Sequence, residues 1–286
     1  MKRLFLLSVL FLFLAGCGKD KITYLTPVHV SVGEFLITVE DDLSQSKDTA
    51  LSQYEAAKAV TLAIFNADGS LRLCSTQLRS NPSGYTTFGE FDFFLPVGSY
   101  TMEVFAYGSD SALTVNSRTE SAYTADKVRE TFVATQALDI TSTNAVSVNA
   151  TLHRITSNLR VISTDNRTPN ADAVRLSYSA CGKSFNPVTA LATVNSGIVN
   201  TVYLTYPAGQ PAKINSYSFL NADQQLIDLT IDVLDTAGAV LTHKEVINVP
   251  LRRNARTVLQ GQLFTTGTST SLMLDTDYDT VIYLNF

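Results

Sequence analysis

Apolar and polar residues alternate with a period of two over many short stretches of this chain. The clearest case is Leu226 to Leu234, where Ile227, Leu229, Ile231 and Val233 alternate with polar residues. Such alternation places successive side chains on opposite faces and is typical of a β-strand with one buried face. No window of 11 or more residues beyond the first 16 shows a helical period, so we expect an all-β protein.

The same pattern, bounded by Gly, Pro, Asn and Asp, predicts strands along the whole chain. The clearest hairpin joins Ala59 to Phe65 with Leu71 to Cys74 through an Asp68-Gly69 turn. Asp110 to Arg129 is predicted to be a long polar loop. The other predicted strands cover residues 28–39, 88–95, 99–107, 130–140, 145–152, 157–163, 173–179, 201–206, 216–220, 226–234, 239–251, 256–264 and 280–286.

Strands at spacings of roughly 8 to 15 residues, separated by turn residues, favour β-sandwiches. Two sandwiches of ordinary size suit the length better than one. We expect an amino-terminal sandwich at residues 28–152 and a carboxy-terminal one at 153–286. The boundary should fall near His153 and Arg154, where one series of strands ends and the next begins.

The first 17 residues have the pattern of a bacterial lipoprotein signal. Lys2 and Arg3 precede an apolar run that ends in Leu14-Ala15-Gly16-Cys17. At about 11 residues the run is too short to span a bilayer. We expect residues 1–16 to be a signal peptide, Cys17 to carry the lipid, and 17–27 to form a tether. An ordinary signal peptide with a chance cysteine, or an uncleaved anchor helix, are the alternatives.

Composition narrows the function. The net charge is −5, which argues against a nucleic-acid partner, and no second apolar stretch is long enough for a membrane helix. Cys74 and Cys181 remain after Cys17, far apart in the chain. They could pair in an oxidising compartment. Because they fall in different predicted domains, we favour two buried free thiols.

The chain shows no catalytic or metal-binding motif. Its histidines, His29, His153 and His243, are isolated from one another, and His153 reads as a structural strand residue. We expect no enzymatic activity, no cofactor and no dedicated metal site.

Two charged clusters each leave two interpretations open. Asp275, Asp277 and Asp279 match the start of a calcium loop, but Thr280 and Phe286 occupy its glycine and glutamate positions. A solvated acidic turn or a weak Ca²⁺ site therefore remains. The basic cluster is either a solvated hairpin or a contact for a partner, and it comprises Arg252, Arg253 and Arg256.

Several segments occur in an order that is more distinctive than any one of them. They are the lipobox at Cys17, Leu62–Gly69, Leu95–Tyr100, Glu130–Ala134, Leu152–Ile155, Asn158–Val161 and Val249–Gly261. With them the chain resembles the fimbrillin-like lipoproteins of Bacteroidales, which include major fimbrillins and fimbrial anchor or accessory subunits.

The resemblance implies two tandem Greek-key, transthyretin-like β-sandwiches in a lipid-anchored protein at the outer membrane and cell surface. Its partners would be the membrane, other fimbrial subunits and a host or bacterial surface ligand. It also implies assembly by β-strand addition between subunits. Val281, Ile282, Tyr283 and Leu284 would suit a donated strand, although they equally suit a last strand within their own domain.

Polymerising fimbrillins lose an amino-terminal strand by cleavage after a basic residue. None of the candidate arginines is preferred by sequence, and they are Arg72, Arg79, Arg118, Arg129, Arg154 and Arg160. The alternative function is a surface glycan-binding lipoprotein that captures polysaccharide. Such proteins usually need aromatic platforms, and this chain has no tryptophan, so Tyr or Phe would have to supply them.

Overall fold

The computed structural model describes residues 24–39, 47–51, 55–111, 113–124, 127–265 and 281–285, and every regular element among them is a β-strand. The strands are β1 (Leu25–Val39), β2 (Lys47–Leu51), β3 (Ala59–Asn66), β4 (Leu71–Leu78), β5 (Glu90–Pro96), β6 (Gly98–Tyr107), β7 (Thr114–Ser117), β8 (Glu120–Ala122), β9 (Thr131–Ile140), β10 (Val146–Arg154), β11 (Ser157–Ser163), β12 (Ala173–Tyr178), β13 (Ser184–Asn186), β14 (Leu191–Ala192), β15 (Ile198–Tyr203), β16 (Lys213–Ser218), β17 (Gln224–Leu234), β18 (Val240–Arg252), β19 (Arg256–Gly261) and β20 (Val281–Asn285).

The all-β class predicted from the sequence is confirmed. The main difference is the segment from Asp110 to Arg129, predicted as a loop, which contains β7 and β8. Strands β2, β13 and β14 were also not predicted. The four strands β7, β8, β13 and β14 are two to four residues long, too short to display a period of two. Within the described ranges no helix is long and apolar enough to cross a membrane.

The amino-terminal lobe is an eight-stranded sheet that folds back on itself. Its strand order is β2-β1-β10-β9-β6-β3-β4, and β5 pairs with the first half of β1. Strands β10 and β9 pair only at their ends, so the sheet opens there into two layers. The core between the layers includes Val30, Leu62, Ile64, Met102 and Leu152, all with no exposed surface.

The carboxy-terminal lobe has two four-stranded sheets, in the orders β16-β11-β19-β20 and β15-β12-β17-β18. Alternate residues of β17 and its neighbours fill the core, as the period of two predicts. Val161, Leu176, Ile231, Val233 and Leu259 lie there, fully buried.

Both lobes close in the same way. The first strand of each pairs in parallel with a late strand, β1 with β10 and β11 with β19. On its other side the first strand pairs antiparallel, β1 with β5 and β11 with β16. The lobes differ in the strand that lies on the far side of this late strand. In the carboxy-terminal lobe β20 lies parallel to β19, whereas β10 meets β9 only at His153 and Arg154.

A third apolar cluster, the interlobe core, joins the two lobes. Phe105 and Tyr107 of β6 meet Phe185 of β13 and Phe219, which follows β16. The Phe185 and Phe219 ring centroids are 4.5 Å apart, and those of Phe105 and Phe185 are 6.0 Å apart. Strand β8 pairs with β13, so a small sheet also connects the lobes. The predicted domain boundaries stay predictions, since this cluster uses residues from both sides of His153.

We predict that Phe185→Ala lowers the free energy of unfolding by about 3–5 kcal/mol, because it leaves a cavity in the interlobe core. Phe185 is fully buried, whereas Tyr203 is 70% exposed and Tyr203→Ala is the matched control. Urea unfolding followed by circular dichroism measures both. The control should change stability by no more than about 0.5 kcal/mol. Equal, small losses in both variants would show that the lobes do not depend on this core.

Candidate functional site

A cleft of about 740 Å³ lies where the two lobes meet. Its walls are β9 and β10, the segment 187–190 that follows β13, and the turn between β18 and β19. Thr135 holds one wall in place, because its hydroxyl donates to the Pro187 carbonyl at 3.1 Å. We call this space the interlobe cleft.

The interlobe cleft forms because β9 and β10 separate. They pair only through Phe132 with Arg154 and Val133 with His153. Beyond those pairs β9 continues beside β6 and β10 continues beside β1. Within the described ranges, residues 146–152 of β10 therefore have no ladder partner on the side facing the cleft. An unpaired strand edge is a template for another strand.

The residues of β10 alternate between core and cleft. Ala150 and Leu152 are fully buried in the amino-terminal core. Asn149, Thr151 and His153 point the other way and line the cleft. The edge strand therefore presents polar side chains to solvent while its inner face anchors it to the lobe.

Arginines give the cleft a basic wall, but two of them are held by the chain itself. Arg154 Nε is 2.8 Å from Glu130 Oε1, and its guanidinium lies over the Phe132 ring at 5.3 Å. Arg253 pairs with Asp223 at 2.5 Å. Of the basic cluster predicted from sequence, Arg252 and Arg253 line the cleft.

The third member of that cluster lies away from the cleft. Arg256 Nε donates to Asn158 Oδ1 at 2.6 Å, which ties β19 to β11. Arg253 also reaches the Thr189 carbonyl at 3.4 Å, so it bridges the two walls of the cleft. These contacts give Arg253 and Arg256 structural roles. The pairing of Arg253 with Asp223 has no local signal in the sequence, because 30 positions separate the two residues.

Several predicted site residues fall outside the described ranges, namely Cys17, Asp275, Asp277 and Asp279. The candidate assembly strand is described as β20. It pairs in parallel with β19, from Val281 opposite Arg256 to Asn285 opposite Gln260. In this chain it is thus the outer strand of its own lobe, and its exchange between subunits stays a prediction.

Two of the three histidines lie in different surroundings. His29 pairs with Asp92 at 2.8 Å, whereas His153 is exposed at the cleft. In the part of the chain that the structure describes, no group of three His, Cys, Asp or Glu residues could hold a metal ion.

Cys74 and Cys181 are free, as expected. The expectation that both are buried is wrong for Cys74, which is exposed on β4, the outermost strand of its sheet.

A polar ladder crosses the outer face of the carboxy-terminal lobe. Asp232 of β17 lies between Arg175 of β12 and His243 of β18, at 2.7 Å and 2.6 Å. Partial burial raises the pKa of Asp232, but the hydrogen bonds from Arg175 and His243 outweigh it and leave that pKa lowered. The bond to Asp232 raises the pKa of His243. The three residues are direct cross-strand neighbours, so their mutual pairing ties three strands together.

Glu103 is the most unusual charged residue in the described structure. It lies on β6 between Ala63 and Thr135, with no exposed surface and with no hydrogen-bond partner for either carboxylate oxygen. Burial raises the pKa of Glu103 to about 8, although Arg118 opposes the shift. The alternation along β6 places Glu103 on the same face as Phe105 and Tyr107. These two aromatic residues are the one sequence signal that this face of β6 is buried against another part of the protein.

Solved structures similar to this chain include adhesion and fimbrial proteins. A candidate adhesin from Bacteroides ovatus is 13% identical, with 77% of each chain covered and a TM-score of 0.50. A candidate cell adhesion protein from Bacteroides fragilis is 8% identical, covering 88% of this chain and 99% of its own, with a TM-score of 0.49. The fimbrial anchor protein Mfa2 from Porphyromonas gingivalis is 12% identical, covering 79% and 83%, with a TM-score of 0.42.

The chain therefore shares its fold with a Bacteroidales adhesin-like protein, as the sequence resemblance predicted. Residues 60–285 match a family of unknown function, DUF6562, and the chain belongs to that family. No curated protein matches the chain. At these identities the solved structures establish the fold, and function has to be argued from this chain's own residues.

We predict that Glu103→Gln removes a pH-dependent loss of stability. The folded pKa of Glu103 is about 8, above the ordinary 4.5. Below pH 4.5 the carboxyl is protonated in both states, so its titration does not change the stability. As the pH rises from 4.5 towards 8, only the unfolded state ionises, so the folded protein loses up to about 1.4 kcal/mol per pH unit.

Urea unfolding at pH 4.5, 6 and 8 tests this prediction. The free energy of unfolding of Glu103→Gln should exceed that of the parent by an amount that grows with pH and levels off above pH 8. Asp139→Asn, at an exposed position of β9, controls for the loss of one negative charge. An advantage that does not change with pH would contradict a buried, protonated Glu103.

Proposed function

We propose that this chain is a lipid-anchored structural subunit of a cell-surface fimbria, either an anchor or an accessory or tip pilin. It assembles by β-strand addition and supports adhesion. The observation that carries the proposal is the unpaired edge of β10 beside the interlobe cleft. The fold shared with a candidate adhesin supports the same class of function.

The carboxy-terminal lobe indicates what the β10 edge can accept. Strands β19 and β10 occupy equivalent places, each parallel to the first strand of its lobe. On β19 the next position is filled by β20, in parallel and over five residue pairs. Residues 146–152 of β10 offer a similar length, and the cleft leaves room beside them. Backbone hydrogen bonds would supply affinity, and the side chains of Asn149 and Thr151 would contribute to register.

None of the candidate arginines would release the first strand alone. After Cys17 the first arginine is Arg72, in β4. Cleavage there would remove β1, β2 and β3, and seven of the eight residues of β3 are buried. The loss would destroy the amino-terminal core rather than open a groove of one strand. Arg79 is bound to the Ala57 carbonyl at 3.0 Å. An anchor or accessory subunit that retains its lipid fits this arrangement.

The cleft supports strand addition better than it supports glycan capture. No Phe, Tyr or Trp lines it within the described ranges, although stacking on such rings is the usual way to hold a sugar. Its walls instead combine an open backbone edge with polar and basic side chains. Polysaccharide binding is therefore kept as an outcome of the test below.

We predict that Thr151→Lys blocks incorporation of the subunit into fibres. A lysine on an open edge disfavours addition of another strand. Thr230→Lys is the matched control, because β17 is paired on both sides and has no open edge. Fibres purified from the native cell should contain the parent and the control. Thr151→Lys should be depleted at least about tenfold from the fibre polymers that resist mild denaturation on a gel. A tenfold change corresponds to a loss of about 1.4 kcal/mol in the free energy of association.

Two results would overturn the assembly proposal. One is equal incorporation of Thr151→Lys and Thr230→Lys, which would exclude the β10 edge as the site of strand addition. The other is a parent protein found only as a detergent-soluble monomer that binds polysaccharide, which would favour the glycan-binding alternative.

We predict that Cys17→Ala abolishes lipid labelling and frees the protein from the membrane. Two acyl chains give stable attachment, whereas their loss leaves no equivalent anchor. Metabolic labelling with palmitate and fractionation of cells and medium measure the effect. Release of whole fibres into the medium would identify an anchor. Loss of this subunit alone would identify an accessory or tip pilin, and a parent that takes up no label would contradict lipidation.

A further inference from the structure

One end of the amino-terminal lobe exposes an unusual amount of apolar side chain. Tyr24 is 65% exposed, Leu25 52%, Phe94 63% and Val97 54%. They belong to the start of β1, the end of β5 and the turn into β6. We call this surface the apolar pole. Clustered exposed apolar residues usually mark a contact with a partner or a membrane.

The ladder between β1 and β5 joins Leu25 and Phe94 of the apolar pole into one surface. Leu25 lies opposite Pro96, and Pro27 opposite Phe94, so these four side chains share the outer face. Between them Thr26 and Leu95 point inward and are buried.

The apolar character stops one step further along the same face. His29 and Asp92 are the next cross-strand pair, and their side chains are 2.8 Å apart. Ser31 follows and donates to Asn149 at 3.2 Å. The apolar surface is therefore confined to the end of the lobe and is not a general feature of the sheet.

The apolar pole lies at the opposite end of the lobe from Ala59 and Tyr107, two residues of the interlobe core. In the central ladder, Gly98 opposite Ile140 marks the end near the pole. At the other end of the same ladder, Tyr107 lies opposite Thr131 and Ala59. Tyr107 and Ala59 both belong to the interlobe core. The carboxy-terminal lobe therefore covers one face of this sheet, whereas Tyr24, Leu25, Phe94 and Val97 at the apolar end stay exposed among the described residues.

We propose that the apolar pole rests on the membrane that holds the Cys17 lipid, a step that depends on the lipid anchor in the proposed function. Tyr24 is seven positions beyond Cys17, since 24 − 17 = 7. Even fully extended, that link reaches only about 25 Å. Tyr24 is the first residue after Cys17 that the structure describes, so a lipid on Cys17 would hold the pole close to the bilayer.

The chemistry of the pole suits the interfacial region of a bilayer. Phe94 and Tyr24 present aromatic rings, and such rings favour the headgroup region, Tyr more strongly because its hydroxyl stays hydrated. Contact at the pole would hold the long axis of the amino-terminal strands away from the membrane plane.

The absence of tryptophan from the sequence provides a direct test. Phe94→Trp places one reporter in the pole, and Tyr203→Trp places one at a 70% exposed position of the carboxy-terminal lobe. The lipidated full chain is reconstituted into vesicles of phosphatidylethanolamine and phosphatidylglycerol. Emission from Phe94→Trp should shift to the blue and fall at least about twofold with brominated lipids, because lipid replaces water around the ring. Tyr203→Trp should show neither change.

Vesicle flotation separates the failure of this inference from that of the lipid anchor. Protein that floats while Phe94→Trp stays unquenched would overturn the contact at the pole and leave the anchor intact. Protein that does not float would overturn the anchor, and with it this inference. A blue shift that depends on protein concentration in detergent, without quenching by brominated lipid, would mean that a second copy covers the pole.

Discussion

Parallel pairing between the first strand and a late strand of each lobe is the constraint on which the remaining structure depends. Val28 of β1 meets Val146 of β10 across 118 positions of sequence. Parallel neighbours cannot be joined by a tight turn, so the intervening strands must build the opposite layer first. The closing strand then lies at an edge. On β19 that edge is covered by β20, whereas on β10 it opens into the interlobe cleft.

The interlobe core imposes a second constraint, since it covers the outer face of β3 and β6. Strand β3 is consequently buried on both faces and reads as a nearly continuous apolar run. The same covering traps Glu103 beside Phe105 without a hydrogen-bond partner. The packing of the interlobe core thus stabilises the junction between the lobes and also buries the destabilising carboxyl of Glu103. The cleft depends on this junction as well, because its walls come from both lobes.

The sequence predicted the long strands well because alternation is local information. Residues 157–163 were predicted with the bounds that β11 has in the structure. The alternation in the sequence did not reveal strands such as β8 and β13. These strands are three residues long and form because they pair with each other across the lobes. The cleft was equally hidden, since it arises where β9 and β10 part. Arg252 and Arg253 stood out as a basic cluster, but the Asp223 that holds Arg253 is identified only by the folded chain.

The direction of β10 links the two ends of the amino-terminal lobe. Its first residue, Val146, pairs with Val28 near the apolar pole, and its last, Arg154, reaches the interlobe junction. A strand added as β20 is added to β19 would run parallel to β10. It would therefore enter beside the pole and end at the cleft, pointing away from the membrane if the pole rests there. Lipid attachment and strand addition would then act along one axis, and a pulling force would load the added strand in shear, across all its backbone hydrogen bonds at once.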